Sequence, residues 1–126
     1  YNYRMPNINA ALGCAQLENL DRYVADKRET AACYAEFFKG KEDITFFTEP
    51  ADCKSNYWLN AVVLKDKAAQ LDFLEYTNDH GVMTRPVWEL MNRLPMFEHC
   101  ETDGLENTEW LADRVVNIPS SVRLDK

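Results

Sequence analysis

Hydrophobic side chains recur every three or four residues from Pro6 to Gly40, which is the spacing of one helical face. The apolar positions of this stripe are Ile8, Leu12, Ala15, Leu20, Tyr23, Val24, Ala31, Tyr34 and Phe38. The stripe is longer than most globular helices, so we expect a break at residues 19–21, with Asp21 capping a second helix. Gly40 marks the predicted end of the helical region.

Downstream of residue 40, short β-branched and aromatic segments alternate with helical ones. The pattern predicts strands over 44–47, 57–64, 82–87 and 115–118, and helices over 66–80 and from Asn107 through Leu111. Gly81 marks the end of the helix over 66–80. Pro86 and Pro119 mark the ends of the strands over 82–87 and 115–118.

This order of elements predicts an α/β fold, more closely an α+β small domain. A long amino-terminal helix packs with further helices on one face of a small, mostly antiparallel sheet. We expect one domain over 1–126, with a helical region over 1–40 and an α/β subdomain over 41–126.

Composition limits the class of protein. The chain has 126 residues, a net charge of −7 and a pI of about 4.8. This length fits one domain. Nucleic-acid binding is disfavoured because phosphate contacts need a basic face. A membrane-spanning helix is not expected either, because it needs a run of about 20 apolar residues.

The cysteines and histidines predict no metal centre. The four cysteines are scattered, at Cys14, Cys33, Cys53 and Cys100. We expect them to be reduced, as in a cytoplasmic protein. His80 and His99 lack the spacing of zinc ligands. The lysines, Lys27, Lys39, Lys41, Lys54, Lys65, Lys67 and Lys126, lie in polar segments and are predicted to be solvated.

The opening segment carries a family resemblance. YNYRMPNINAALGCAQLENL resembles the segment that links the large and small domains of pyridoxal 5′-phosphate (PLP)-dependent sugar-nucleotide aminotransferases of the DegT/DnrJ/StrS family. The matching residues are Asn2, Arg4, Met5, Ala10, Ala11, Leu12, Gly13, Gln16 and Leu17. The later segments YWLNAVVL, GVMTRPVWELMNRLPMF and NTEWLADRVVNIPSSV resemble family segments in the same order.

The resemblance implies the carboxy-terminal domain of a fold-type I PLP aminotransferase. Such an enzyme transfers an amino group, from glutamate, to a nucleotide-linked keto sugar for amino-sugar and surface-polysaccharide synthesis. The perosamine-synthetase-like members, which aminate a 4-keto sugar, are the most similar subgroup. In the family, the PLP-binding Lys and its acidic partner precede the opening motif. We therefore expect no catalytic residue here, and a chain that alone is inactive and holds no PLP.

The family also implies which residues of this chain reach the active site. Asn2 resembles the Asn that crosses a homodimer to the PLP phosphate of the other subunit, so each active site is composite. Arg4 is expected near the same anionic site. From the residues alone, Asn2 is better explained as a turn cap, and Arg4 is also explained as a member of a surface ion pair.

Arg85, Trp88 and Asn92 are the predicted substrate-binding residues. An Arg pairs with a diphosphate and a Trp covers a sugar or base; the alternative places Trp88 in the core. Many family members carry a His where this chain has Met91. Met cannot titrate, so the His role is absent here or falls to Asn92.

A second function class stays open from the sequence. The same pattern of elements fits a stand-alone, non-catalytic α/β module that binds or regulates.

Overall fold

The structure, a computed structural model, describes residues 2–123. The helices are α1 (Asn7–Leu17), α2 (Leu20–Phe38), α3 (Lys67–Asp79) and α4 (Glu106–Ala112). The strands are β1 (Ile44–Phe46), β2 (Asn60–Leu64), β3 (Arg85–Pro86) and β4 (Val115–Ile118), and a 3₁₀ turn covers Met91–Arg93. Tyr1 and residues 124–126 lie outside the described residues, and the expectation for Lys126 with them.

The strands form one antiparallel sheet, as predicted. Its order is β1-β2-β4-β3, which makes β1 and β3 the edge strands among the described residues. Val62 of β2 lies opposite Val116 of β4, and Arg85 of β3 lies opposite Asn117. The register therefore brings Arg85 beside the carboxyl end of β4.

The core lies on one face of this sheet, under α2 and α3. Alternate strand residues are buried because successive side chains point to opposite faces. The buried apolar residues are Ala31, Phe46, Val62, Leu64, Val116 and Ile118, and partly buried residues of α2 and α3 pack against them. The predicted packing of helices on one face of the sheet is confirmed for α2 and α3, whereas α1 has no buried residue.

Gln70 joins α3 to the end of the sheet. Its side chain is fully buried, and its Nε2 donates to the carbonyls of Ala112 and Val115, each at 2.9 Å. A buried amide is tolerated when its hydrogen bonds are satisfied. Gln70 thereby fixes the start of β4 relative to α3.

The break in the long helix is confirmed, but the predicted cap is wrong. α1 ends at Leu17, and Asn19, not Asp21, precedes the first residue of α2. The Asn19 side chain donates back to the carbonyl of Ala15 at 3.0 Å, so it serves the end of α1. Gly40 follows α2 with a φ of +75°, a conformation that favours glycine.

Three of the predicted strands are shorter than the sequence pattern indicates, although β1 lacks only its last predicted residue, Phe47. β2 begins only at Asn60, because Tyr57 has a φ of +46° that no strand residue adopts. β3 contains only Arg85 and Pro86. The strand ends at Pro86, as predicted. An edge strand tolerates a proline because no ladder hydrogen bond is lost on its open side.

The start of α4 also differs from the prediction. The helix begins at Glu106, and Leu105 occupies the cap position with a φ of +53°. Asn107 therefore lies inside the first turn and does not cap the helix. In the described part of the chain, no helix is both long enough and apolar enough to cross a membrane.

Candidate functional site

A groove of about 910 Å³ opens beside the edge strand β3, where β2 begins and β4 ends. Its walls come from α2, the segment before β2, strand β3 with its flanks, and the segment after β4. The lining residues are Lys27, Trp58, Leu59, Met83, Arg85, Pro86, Val87, Trp88, Asn117, Ile118, Pro119, Ser120 and Ser121. We call this surface the Arg85 groove.

Arg85 presents a charged group that no carboxylate neutralises within residues 2–123. Its side chain is exposed, and its Nη2 lies 3.5 Å from the sulfur of Met83, which is a weak acceptor. The ion pairs of the described residues involve other arginines and lysines. The guanidinium is therefore available to an anionic ligand.

Trp88 lies on the surface of the groove and not in the core. Its side chain is 74% exposed, so the alternative that it packs in the small-domain core is wrong. A second indole, that of Trp58, lines the same groove and is 65% exposed. Aromatic faces of this kind cover the apolar face of a sugar or the plane of a base.

The charge of the groove is opposite to that of the whole chain. Lys27 and Arg85 line it, and none of its lining residues is acidic, whereas the chain carries a net charge of −7. A cleft lined by one sign of charge concentrates ligands of the other sign. The groove therefore favours an anionic ligand that also has a ring to stack.

Lys27 is half-buried, so the prediction that it is solvated is wrong. Its ammonium donates to the carbonyl of Trp58 at 3.4 Å and to the carbonyl of Ser120. An ammonium has three N–H donors. Lys27, Trp58 and Asn117 are among the groove residues that the sequence pattern missed, because they come from segments that are far apart along the chain.

Asn92 lies apart from the Arg85 groove. It lines a separate pocket of about 420 Å³, together with Leu90, Met91, Phe97 and Leu105 among others. The structure therefore brings Arg85 and Trp88 together but leaves Asn92 in a different surface. Its role in substrate binding stays a prediction.

Asn2 and Arg4 lie before α1 and are both exposed. The backbone N–H of Arg4 donates to Oδ1 of Asn2 at 3.1 Å, which is the turn-capping contact expected of a loop Asn. This contact uses the amide oxygen of Asn2 and leaves its NH₂ group to donate. Neither residue lines the Arg85 groove.

Comparison with known proteins gives one family over the whole chain. A model of the DegT/DnrJ/EryC1/StrS aminotransferase family matches residues 1–126. GDP-perosamine synthase of Escherichia coli O157:H7 is 30% identical over 95% of this chain and 32% of its own length. The putative pyridoxal phosphate-dependent aminotransferase EpsN of Bacillus subtilis (strain 168) is 31% identical, again over 95% of this chain and 32% of its own.

A solved structure gives the same fold. Helicobacter pylori PseC, an aminotransferase involved in the biosynthesis of pseudoaminic acid, superposes with a TM-score of 0.88 at 20% identity. The match covers 99% of this chain and 34% of that chain. The present chain thus spans about a third of the length of the relatives it matches.

Proposed function

This chain belongs to the DegT/DnrJ/EryC1/StrS aminotransferase family, and from that premise we propose that it is the carboxy-terminal domain of a PLP-dependent aminotransferase. Residues 1–126 form this domain, with a helical linker region over 1–40 and a substrate-facing α/β part over 41–126. The enzyme transfers an amino group from glutamate to a nucleotide-linked keto sugar. The names of the two relatives, GDP-perosamine synthase and EpsN, support this reaction class.

The observation that carries the proposal is the pairing of Arg85 with Trp88 in one groove. A nucleotide-linked sugar has a diphosphate, a sugar and a base. A free guanidinium fits the diphosphate as a bidentate donor, and an exposed indole fits a ring face. The groove has no acidic lining residue to repel the diphosphate.

PLP, when bound, supplies an electron sink that stabilises charge at the carbon exchanging its amino group. The described residues do not form a complete PLP site by themselves. Three lysines form ion pairs with carboxylates: Lys39, Lys65 and Lys67. The ammonium of Lys27 donates to two backbone carbonyls, and that of Lys41 lies over the Phe37 ring. Lys54 is exposed. Lys54 lines a pocket of about 280 Å³ together with Glu49, but that carboxylate is already paired with Arg28.

We propose that the chain contributes Asn2 to a PLP site. Its NH₂ group is a neutral donor suited to a phosphate oxygen. Oδ1 of Asn2 accepts from the backbone N–H of Arg4, and this contact restricts the direction in which the NH₂ group points. We assign Asn2 to the phosphate of the cofactor held by the other subunit of a homodimer, with Arg4 supporting the same anionic region.

The sugar specificity differs from that of family members with a His near the ligand. Met91 offers neither a proton nor a strong acceptor. Asn92, next to it, lines the smaller pocket and is our candidate for a polar contact to the sugar. The enzyme acts in the cytoplasm, in the synthesis of amino sugars for surface polysaccharide.

An amino-transfer assay of the intact enzyme tests this function. Purified protein with PLP is incubated with ¹⁵N-glutamate and GDP-, UDP- or dTDP-linked 4-keto-6-deoxy sugars. The masses of the products are then measured by mass spectrometry. We expect a ¹⁵N-amino sugar and an equal amount of 2-oxoglutarate. If no keto sugar is aminated, and the gene has a start codon directly before the Tyr1 codon, the stand-alone binding module is favoured instead.

A further inference from the structure

The segment that carries Trp58 has a backbone conformation that needs support from elsewhere. Tyr57 has a φ of +46°, which side-chain-bearing residues rarely adopt. The two local hydrogen bonds run from the Tyr57 N–H to Oγ of Ser55 and from the Trp58 N–H to Oδ1 of Asn56, each at 3.0 Å. A conformation of this kind persists when the surrounding structure holds it.

Arg28 and Glu49 hold one end of this segment. Nη1 of Arg28 donates to the carbonyl of Ser55 at 2.6 Å and to Oε2 of Glu49 at 3.0 Å, and Nη2 donates to Oε1 of Glu49 at 2.6 Å. The Ser55 N–H donates to the same carboxylate. The backbone N–H of Glu49 also donates to the hydroxyl of Tyr57 at 3.2 Å. The Arg–carboxylate fork fixes direction as well as distance.

Lys27 holds the other end. Its ammonium donates to the carbonyls of Trp58 and Ser120. Oγ of Ser120 in turn accepts from the N–H of Asn60 at 2.7 Å. Lys27 and Arg28 are consecutive residues of α2, and together they tie both ends of the segment 55–58 to this helix.

The side chain of Trp58 has little support of its own. It is 65% exposed, so packing in the core does not fix its position. Its place in the Arg85 groove follows from its backbone, and the backbone follows from the α2 contacts. Arg28 is the informative member of the pair, because it does not line the groove while Lys27 does.

We propose that Arg28, with Glu49 and Lys27, positions Trp58 as a ring-binding wall of the Arg85 groove, which makes Trp58 a specificity-determining residue for the nucleotide-linked sugar. This inference rests on the proposed function. Arg28 and Glu49 are positioning residues, since any effect on substrate passes through Trp58.

The test uses the intact, PLP-loaded enzyme labelled with 5-fluorotryptophan. The ¹⁹F resonance of Trp58 is assigned as the one lost in Trp58→Phe. Arg28→Lys keeps the charge but removes the fork, and Glu49→Gln removes the charged acceptor. We expect both to shift or broaden the Trp58 resonance in the absence of substrate.

Arg114→Lys is the matched control. Arg114 donates to the carbonyls of Trp110 and Lys65, each at 3.1 Å, and its guanidinium lies over the Trp110 ring. It is thus a second arginine that holds a tryptophan, outside the groove. We expect this variant to move the Trp110 resonance and to leave both the Trp58 resonance and the KM for the sugar unchanged.

The kinetic arm separates positioning from general damage. In Arg28→Lys and in Trp58→Ala we expect the KM for the nucleotide-linked sugar to rise about 2- to 10-fold, the range for one aromatic contact. The rate of the glutamate half-reaction should stay unchanged. The affinity for the free nucleotide, measured in wild type and in Trp58→Ala, shows which ring Trp58 contacts. A loss of affinity for the free nucleotide assigns Trp58 to the base, and an unchanged affinity assigns it to the sugar.

Three outcomes overturn the inference. They are an unmoved Trp58 resonance in folded Arg28→Lys and Glu49→Gln enzymes, an unchanged KM in Trp58→Ala, and an equal KM rise in Arg114→Lys. If no nucleotide-linked sugar is aminated, the proposed function fails, and the ¹⁹F spectra still decide whether Arg28 positions Trp58.

Discussion

The ammonium of Lys27 donates to the backbone carbonyl of Trp58 at 3.4 Å, across 31 positions of sequence. This contact joins the long helix α2 to the wall of the Arg85 groove. Since α2 also packs on the sheet, the contact holds this wall of the groove to a helix that is fixed by the core.

Trp88→Ala in the intact enzyme should weaken binding of the nucleotide-linked sugar with little effect on stability. The indole is 74% exposed, so its loss leaves no cavity in the core, while a lost aromatic contact costs about 0.5–1.5 kcal/mol of binding. Calorimetric titration gives the affinity and a thermal melt gives the stability. Trp110→Ala is the control, since Trp110 lies outside the groove. An equal loss of affinity in that control would contradict the assignment.

Asp66→Ala should destabilise the 126-residue chain by about 0.5–2 kcal/mol, the cost of losing a helix cap. Oδ1 of Asp66 accepts from the backbone N–H of Ala69 at 2.8 Å, at the start of α3. Urea unfolding followed by circular dichroism measures the change. Asp72→Ala, on the exposed side of the same helix, removes the same charge without a cap and should change stability much less. Equal effects of the two variants would disprove the capping role.

The Arg28–Glu49 contact should lose its stabilising effect in acid. The hydrogen bonds from Arg28 and from the Ser55 N–H lower the pKa of Glu49 from 4.5 to about 2. A carboxylate with a lowered folded-state pKa stabilises the fold fully above the unfolded pKa, and the effect is lost as the pH falls towards the folded pKa. The stability difference between wild type and Glu49→Gln should therefore shrink between pH 4.5 and pH 2.

Urea unfolding of both proteins across this range measures that difference, and Glu36→Gln is the control. Glu36 forms an exposed i,i+3 pair with Lys39, and such pairs contribute little. A Glu49→Gln difference that does not vary with pH would show that the carboxylate charge is not what stabilises the contact.

The local signals for α3 are strong, and the sequence predicted this helix well. Asp66 caps it and Gly81 follows it with a φ of +76°, both within a few residues of the helix ends. The segment 57–59 looked like strand because it is aromatic and apolar. Its true conformation depends on Arg28 and Glu49, which local pattern analysis cannot connect to it.

The residues of the candidate site also divide into those that a local motif predicted and those that only the fold brings together. Arg85 and Trp88 are close in sequence, so one motif predicted both, and the structure places both in the groove. Lys27 and Trp58 meet only after α2 packs on the sheet, so the sequence missed them. Asn92 follows the same motif but turns into another pocket through the 3₁₀ turn.

Asn2 should serve the cofactor of the partner subunit, which a mixed-dimer experiment tests. One full-length variant lacks the PLP-binding Lys that we propose lies upstream, and the other carries Asn2→Ala. Each is weak or inactive alone. After the two are unfolded, mixed equally and refolded, half the dimers are mixed, and each mixed dimer has one intact site. Activity should recover to about a quarter of wild type, given two equivalent sites.

The same mixture has a clear contrary result. If Asn2 serves the cofactor of its own chain, no mixed dimer has both residues at one site. Activity no higher than the mean of the two parents then rules out the trans role. A mixture of wild type with the Lys variant is the control for refolding yield.

The affinity of the intact, PLP-loaded enzyme for its nucleotide-linked sugar in wild type and in Arg85→Ala tests the central claim most directly. Neither groove cation pairs with a carboxylate of residues 2–123, but Lys27 donates to two backbone carbonyls, whereas Arg85 contacts only the weak acceptor Met83. We predict a loss of about 1.5–3 kcal/mol, which is about tenfold or more, with PLP retention unchanged. Arg22→Ala, an exposed arginine beside Tyr23 and outside the groove, should bind as wild type. Unchanged affinity in Arg85→Ala would contradict the account.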